Sequence, residues 1–256
     1  MGAARPVVIV TGAASGIGRA IAERLLADGA RLALCDLDAS LTETFAAEIA
    51  RGDVVARVGD VSADGEADAL VGAALAAFGQ LDGLVNNAAT GGPGAEVSTL
   101  DLDALRRTLD INVVALVALV QAATPALTSA GGSIVNLGSV FATEPVRAGG
   151  AYCMSKGAVH TLTRVLAIEL GGAGVRCNTV APGYILTKMH EDEVAGQAAE
   201  LGIAVDERFA QLRAEVPLQR HGTPADIAGA VAWLLGPDSA YVTGQSIPVN
   251  GGIQFS

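Results

Sequence analysis

Ser139, Tyr152 and Lys156, in Leu137-Gly138-Ser139-Val140 and Tyr152-Cys153-Met154-Ser155-Lys156, are the residue types of an acid-base site. The Ala-rich surroundings of Tyr152 and Lys156 predict a helix. On it a spacing of four puts phenol and ammonium on one face, about one turn apart. A neighbouring cation favours phenolate over phenol, so the pair predicts a lowered Tyr152 pKa and proton exchange near neutral pH. Ser139 follows the apolar run Ser133–Leu137, which predicts a buried strand. Its hydroxyl then stands at the carboxyl edge of a sheet, where open α/β folds place ligands, and suits a substrate oxygen. Taken alone, Tyr-x-x-x-Lys also fits an ordinary helix beside a loop serine, so the surrounding elements decide.

Val7–Val10 is a short β-branched run that leads into Thr11-Gly12-Ala13-Ala14-Ser15-Gly16-Ile17-Gly18 and an amphipathic stretch to Asp28. The pattern predicts strand, glycine loop and helix. Gly12, Gly16 and Gly18 permit a tight turn and close backbone approach, and the free amides and dipole at a helix start, around Ser15 and Ile17, favour a pyrophosphate. The spacing Gly-x-x-x-Gly-x-Gly differs from the commoner Gly-x-Gly-x-x-Gly fingerprint. The next apolar run, Leu32–Cys35, ends in Asp36, where a carboxylate can accept hydrogen bonds from an adenosine ribose. Such a carboxylate would repel a 2'-phosphate, and Ala13, Ala14, Ser15 and Leu37 offer no cation to neutralise one, so the expected cofactor is NAD in preference to NADP. A second reading makes Asp36 a turn or cap acid, alongside Asp38 and Ser40.

With these motifs in order, the chain resembles a classical short-chain dehydrogenase/reductase from about Val7 to Gly252. Gly59-Asp60-Val61, Asn86-Asn87-Ala88-Ala89, Asn112, Pro182-Gly183-Tyr184-Ile185-Leu186-Thr187 and Thr243-Gly244-Gln245 complete the resemblance. It implies that Asp60 and Val61 flank the adenine and that Asn87 and Ala88 line the sugar-phosphate track. It also implies that Ile185 and Thr187, after Pro182-Gly183, meet the nicotinamide carboxamide. Asn112 is implied in a proton relay through water to Lys156, whose ammonium is implied to hold the nicotinamide ribose. Simpler readings stand beside these: Asp60 as a helix cap, Asn86-Asn87 as a strand-ending turn, Pro182-Gly183 as a chain breaker. Asn112 lies in the apolar Ile111–Val114, where a polar amide is costly unless hydrogen-bonded. Three positions depart from the family pattern: Ala89 for glycine, Cys177 for valine and Asn250 for aspartate.

Strand-like runs at Val54–Val58, Leu81–Asn86, Ser133–Leu137, Val175–Val180 and Gln245–Val249 alternate with Ala/Leu-rich helical stretches. That alternation predicts an α/β fold: one Rossmann-type domain over 1–256, a doubly wound parallel sheet with helices on both faces. A hydrophobic content of 51% suits a sizeable core. Thr223-Pro224-Ala225-Asp226 predicts a capped helix start.

No apolar stretch is read as approaching the roughly 18 residues that span a bilayer, and Met1–Pro6 lacks a signal-peptide core, so a cytoplasmic protein is expected. Cys35, Cys153 and Cys177 show no paired metal-ligand spacing and are expected as reduced structural thiols, with only Cys153 placed to influence a site. A net charge of -11 without a basic cluster disfavours nucleic acid and anionic membranes. The resemblance implies a homo-oligomer, commonly a tetramer built through helices near Asp101–Leu127 and Tyr152–Leu170.

The expected reaction is reversible hydride transfer at a secondary alcohol or ketone, a small-molecule substrate such as a polyol or sugar. Substrate contacts are expected from 88–96, 140–150 and a lid over 187–217. The lid holds seven acids against three bases, which mildly disfavours strongly anionic substrates, and the same charges fit a plain solvated helical face. His190 in this segment is expected to be exposed, either contacting substrate or incidental. Three alternatives remain: a 3-oxoacyl-carrier-protein reductase using NADPH, a hydroxysteroid dehydrogenase, and a catalytically silent NAD-binding protein. The uncharged Gly171-Gly172-Ala173-Gly174 and Asp36 argue against the first.

Overall fold

The computed structural model describes residues 5–255, so the reading of Met1–Pro6 falls largely outside them. The strands are β1 (Val7–Thr11), β2 (Arg31–Asp36), β3 (Val54–Val58), β4 (Gly83–Asn86), β5 (Ser133–Leu137), β6 (Arg176–Pro182) and β7 (Ser246–Val249). All seven are parallel in one sheet, ordered β3-β2-β1-β4-β5-β6-β7. Strand β4 starts two residues later than predicted and β6 runs on to Pro182, because Pro182 pairs with Val249 on β7.

Successive strand residues face opposite sides, and both sides are covered. Val8 and Val10 pack with α1 (Gly16–Ala27) and α10 (Pro224–Leu235), and with Leu41 and Phe45 from α2 (Ser40–Thr44) and the start of α3 (Ala46–Ala50). Val7 and Ile9 pack with α4 (Glu66–Phe78), α6 (Ala115–Ala130) and α7 (Gly150–Gly171). Asp226 accepts from the backbone N–H and hydroxyl of Thr223 at 2.7 and 2.9 Å, fastening the predicted start of α10.

Helix α5 (Leu102–Leu109) is capped by Asp101, which accepts from the amides of Asp103 and Ala104. It continues through a π-helical turn, Asp110–Val114, into α6. This corrects the expectation about apolar length: Leu102–Ala130 is one helical run of 29 residues, long and apolar enough to cross a membrane by composition. Its apolar side, including Leu116, Leu119, Ala123 and Leu127, is buried in the core beside the sheet. Helices α8 (Lys188–Leu201) and α9 (Val205–Glu215) form the segment between β6 and α10.

Strand order reverses between β1 and β4. A crevice at the carboxyl ends of these strands is where such sheets bind ligands. Thr11, Asp36, Asn86, Leu137 and Pro182 all end strands on that edge.

Candidate active site

The glycine loop folds back on the end of β1. Gly12 has φ +65° and its amide donates to the Cys35 carbonyl at 2.8 Å. A Cβ on Gly18 would lie 1.9 Å from the Gly12 oxygen, so only glycine lets α1 approach the loop this closely. Ser15 precedes α1 without a side-chain capping bond, leaving the first-turn amides available to an anion. A narrow backbone cradle with unclaimed amides fits a dinucleotide pyrophosphate.

Asp36 ends β2 beside this loop. Its Oδ2 accepts from Ala14 N at 2.8 Å and its Oδ1 from Asp38 N at 2.9 Å. Both readings of Asp36 therefore meet in one group, since each oxygen keeps a lone pair after bracing the turn. Asn87 is a brace as well: its Nδ2 donates to the carbonyls of Thr11 and Gly12 at 2.8 and 3.0 Å. Buried Thr11 accepts through Oγ1 from the amides of Asn87 and Ala88, at 3.1 and 3.0 Å. The end of β4 is thus stitched to the glycine loop, with Thr11 an unforeseen participant.

Asp60 does not cap the following helix, which starts only at Glu66. It accepts from the amide and hydroxyl of Ser62 at 2.9 and 2.6 Å and from Arg107 at 2.6 Å, contacts that pull its carboxyl down to about 2. Val61, next along, packs at the margin of the core and lines a small cavity with Lys156.

Ser139, Tyr152 and Lys156 do come together. The Ser139 hydroxyl accepts from Phe141 N at 3.1 Å and lies near enough to the Tyr152 phenol to favour its ionised form. Buried Lys156 lies one turn along α7, with Nζ 5.6 Å from the Tyr152 ring centroid, and donates to the Leu137 carbonyl at 2.8 Å. The expected lowering of the Tyr152 pKa is not found. Burial pushes the phenol up to about 12, the nearby Ser139 hydroxyl opposing and the charge of Glu193 adding to the rise. Burial also brings Lys156 down to about 8, because desolvation penalises its charged form.

Asn112 sits in the π-helical turn, a departure from α geometry often found at functional sites. Its Oδ1 accepts from Thr90 N at 2.8 Å, while Nδ2 donates to Thr90 O and to Ser155 Oγ, both at 2.9 Å. Ser155 donates in turn to the Tyr152 carbonyl at 2.7 Å. The side chain braces Thr90 and Ser155 and does not bond Lys156, yet both residues line a cavity of about 10 Å³, as does Asn86, whose buried Oδ1 has no partner among the described residues.

On the substrate side, loops 88–96 and 140–150 are tied by an Arg147–Glu96 ion pair and by Ala95 N donating to Ala148 O at 3.0 Å. Gln254, in a tail that sequence reasoning did not place here, donates to Thr143 Oγ1 at 2.6 Å. Gly183 donates to Val249 O, Ile185 is buried, and Thr187 caps α8 with its methyl facing Gly16. His190 is 7% exposed, correcting the expectation: its ring stacks on Tyr184 at 5.4 Å and its Nε2 lies 3.3 Å from Nδ1 of His221. Thr187, at the N-cap, turns α8 so that its inner face packs on these aromatics, which an inspection for isolated histidines misses. Cys35, Cys153 and Cys177 are free and buried, and Cys153 adds to the raised Tyr152 pKa.

A dinucleotide cradle and a phenol-hydroxyl-ammonium group on one sheet edge describe a nicotinamide-dependent oxidoreductase acting on CH–OH groups. The comparisons agree. The family described as enoyl-(acyl carrier protein) reductase matches residues 12–254. A curated relative, 2-(S)-hydroxypropyl-CoM dehydrogenase 3 of Xanthobacter autotrophicus, is 38% identical over 250 residues, covering 96% of each chain. Among solved structures, NAD+-bound xylitol dehydrogenase is 33% identical with a TM-score of 0.90, over 96% of this chain and 98% of that one. An NADPH-bound actinorhodin polyketide ketoreductase variant is 31% identical with a TM-score of 0.92, over 97% of each. The chain belongs to the short-chain dehydrogenase/reductase family.

Proposed function

We propose that the chain is an NAD-dependent dehydrogenase of neutral secondary alcohols, polyols or sugars, with Ser139, Tyr152, Lys156 and Asn112 as its catalytic set. The observation that carries this reading is Lys156 Nζ 5.6 Å from the Tyr152 ring, with Ser139 at the adjoining sheet edge, beside the dinucleotide cradle. When bound, the nicotinamide supplies the hydride acceptor or donor and, when oxidised, a positive charge. Ser139 orients the reacting oxygen. Tyr152 donates its proton in ketone reduction and accepts the alcohol proton in oxidation. A phenol held near 12 is ready as the acid; oxidation needs a neighbouring positive charge to favour the phenolate. Lys156 holds the nicotinamide ribose, and the cavity of about 10 Å³ between Asn112 and Lys156 has room for one relay water.

Gly12, Ser15, Gly16, Ile17 and Gly18 take the pyrophosphate, and Asp36 the adenosine ribose. Asp60 and Val61 flank the adenine; Asn87 and Ala88 line the track between; Pro182, Gly183, Ile185 and Thr187 approach the carboxamide. Asp36 supports NAD over NADP, since its partners are backbone amides and not cations. The likeness to xylitol dehydrogenase supports a polyol; the likeness to a ketoreductase with NADPH supports the second reading, an acyl reductase. Three unpaired cysteines support a cytoplasmic location. Exposed Leu102, Val114, Met154, Val165 and Ile168 on α5 to α7 support a homotetramer.

Initial rates over polyols, sugars, simple secondary alcohols and hydroxysteroids, with NAD and NADP in parallel, test this. Turnover of a polyol or sugar with NAD is the expected result. An NADP preference would overturn the Asp36 argument and favour the acyl reductase, and silence throughout would favour a binding role.

A further inference from the structure

Asn86, the last residue of β4, is 6% exposed, and the two ends of its amide have different surroundings. Its Nδ2 donates to Asn136 Oδ1 on the neighbouring β5 at 2.8 Å, while its Oδ1 has no hydrogen-bond partner among the described residues. Which end faces which way follows from counting protons across the sheet. Thr163, on α7, gives its hydroxyl proton to the Val159 carbonyl at 2.9 Å, so towards Asn136 its Oγ1 can only accept. Asn136 therefore presents Nδ2 to Thr163, at 2.9 Å, and turns Oδ1 to Asn86. Asn86 must answer with Nδ2, which leaves its Oδ1 on the side away from Asn136. Thr179 on β6 bonds Thr163 at 2.7 Å and ends this buried run of polar side chains.

Away from Asn136 lies the cavity of about 10 Å³, which Asn86, Asn112 and Lys156 line and Asn136 does not. A space of that volume holds about one water, given two or more polar groups to bind it. Lys156 Nζ spends one of its three N–H bonds on the Leu137 carbonyl and keeps two. Asn112 has both Nδ2 protons committed, to Thr90 and Ser155, so it offers only a lone pair on Oδ1. A water in this cavity finds its donor in Lys156 and its acceptor in Asn86. Left dry, the buried Asn86 oxygen would cost as much as a broken hydrogen bond.

We propose that Asn86 is a positioning residue of the proton relay: its Oδ1, aimed by Asn136 and Thr163, accepts from a single buried water and turns that water's lone pairs towards Lys156. Its role rests on the dehydrogenase reading above and comes from outside that reading's catalytic set. A proton leaving Lys156 breaks an N–H bond and forms an O–H bond on the water, which passes its other proton on to solvent. Ketone reduction runs the same steps backward, and no further reactant is needed.

A high-resolution crystal structure of wild type and the kinetics of Asn86→Leu test this, with Ser133→Ala as control. Ser133, at the far end of β5, is likewise buried and likewise loses one hydrogen bond, to the Leu234 carbonyl at 2.9 Å. The crystals should show an ordered water within hydrogen-bond distance of both Asn86 Oδ1 and Lys156 Nζ. An Asn86 oxygen met by no water, or only by a cofactor hydroxyl, would overturn the proposal whether or not the variants fold. Asn86→Leu should lower kcat about tenfold, leave the cofactor dissociation constant within about twofold and raise the solvent deuterium isotope effect on kcat, because the water has lost its anchor. Ser133→Ala should lower Tm and change neither kcat nor the isotope effect. Wild-type kinetics in Asn86→Leu, or the same kinetic losses in both variants, would overturn the relay role. If wild type turns over no alcohol with either cofactor, the dehydrogenase reading fails, and the water, present or missing, then decides for or against Asn86 by itself.

Discussion

Replacing Asn112 separates bracing from proton relay, because its side chain makes three identified hydrogen bonds from a position 3% exposed. Asn112→Ala removes all three and leaves the Thr90 amide and carbonyl without those partners. At about 1 kcal/mol for each bond the loss is about 3 kcal/mol, and more where Thr90 stays dry. For a chain of this size that corresponds to a Tm lowered by about 6–12 °C. Asn112→Asp keeps an acceptor for Thr90 N–H but turns a carboxylate oxygen toward the Thr90 carbonyl, so it should be at least as destabilising. Ser155→Ala removes one of the three bonds and should cost about 1 kcal/mol, with a double-mutant cycle showing coupling to Asn112. Thermal unfolding by circular dichroism measures each. A Tm within about 2 °C of wild type for Asn112→Ala would refute the brace. A lowered Tm with unchanged kcat, measured well below the transition, would instead refute the relay.

Tyr152→Phe should lower kcat by a factor of about 100 or more while the dissociation constant for reduced cofactor, followed by its fluorescence, changes little; near-normal turnover would remove Tyr152 from its role. Gly18→Ala places a methyl 1.9 Å from the Gly12 oxygen, so α1 must move off the loop; lost cofactor binding together with a lower Tm is expected, and normal binding by calorimetry would contradict the cradle. Asp60 is lowered in the folded chain from 3.8 to about 2 by Ser62 and Arg107. Its stabilisation is therefore complete above the unfolded value, near pH 4, and is lost as pH falls through about 2. Asp60→Asn should flatten that acid limb of the stability curve, and an unchanged limb in urea titrations at pH 2–4 would show that these contacts are not felt.

Much of the site was legible because its signals are local. The β-branched run Val7–Val10 and the glycines after it specify strand, turn and helix within a dozen residues, and the steric need for Gly18 is a contact across that same turn. Tyr152 and Lys156 share a helix face through spacing alone, and Ser139 follows a strand recognisable from its own apolar run. Strand ends at β4 and β6 were less legible, since pairing with a neighbouring strand decides where a ladder begins or stops. Asp36 shows both kinds of information at once: its place at the end of β2 is sequential, whereas its bond to Ala14 exists only because β1 and β2 lie side by side.

What only tertiary structure decided depends on depth and on residues far apart in the chain. The Tyr152 phenol is pushed up and not down because burial, a property of the packed whole, is the largest influence on it. Asn112 meets Thr90, Asp60 meets Arg107 and Gln254 meets Thr143 across separations that no periodicity encodes. His190 reads as a lone polar residue in an acidic segment until the chain returns with Phe209 and His221 to enclose it. Local spacing along the chain sets which groups share a face; only the closed fold sets which of them lose water and what they then touch, and that desolvation determines their chemistry.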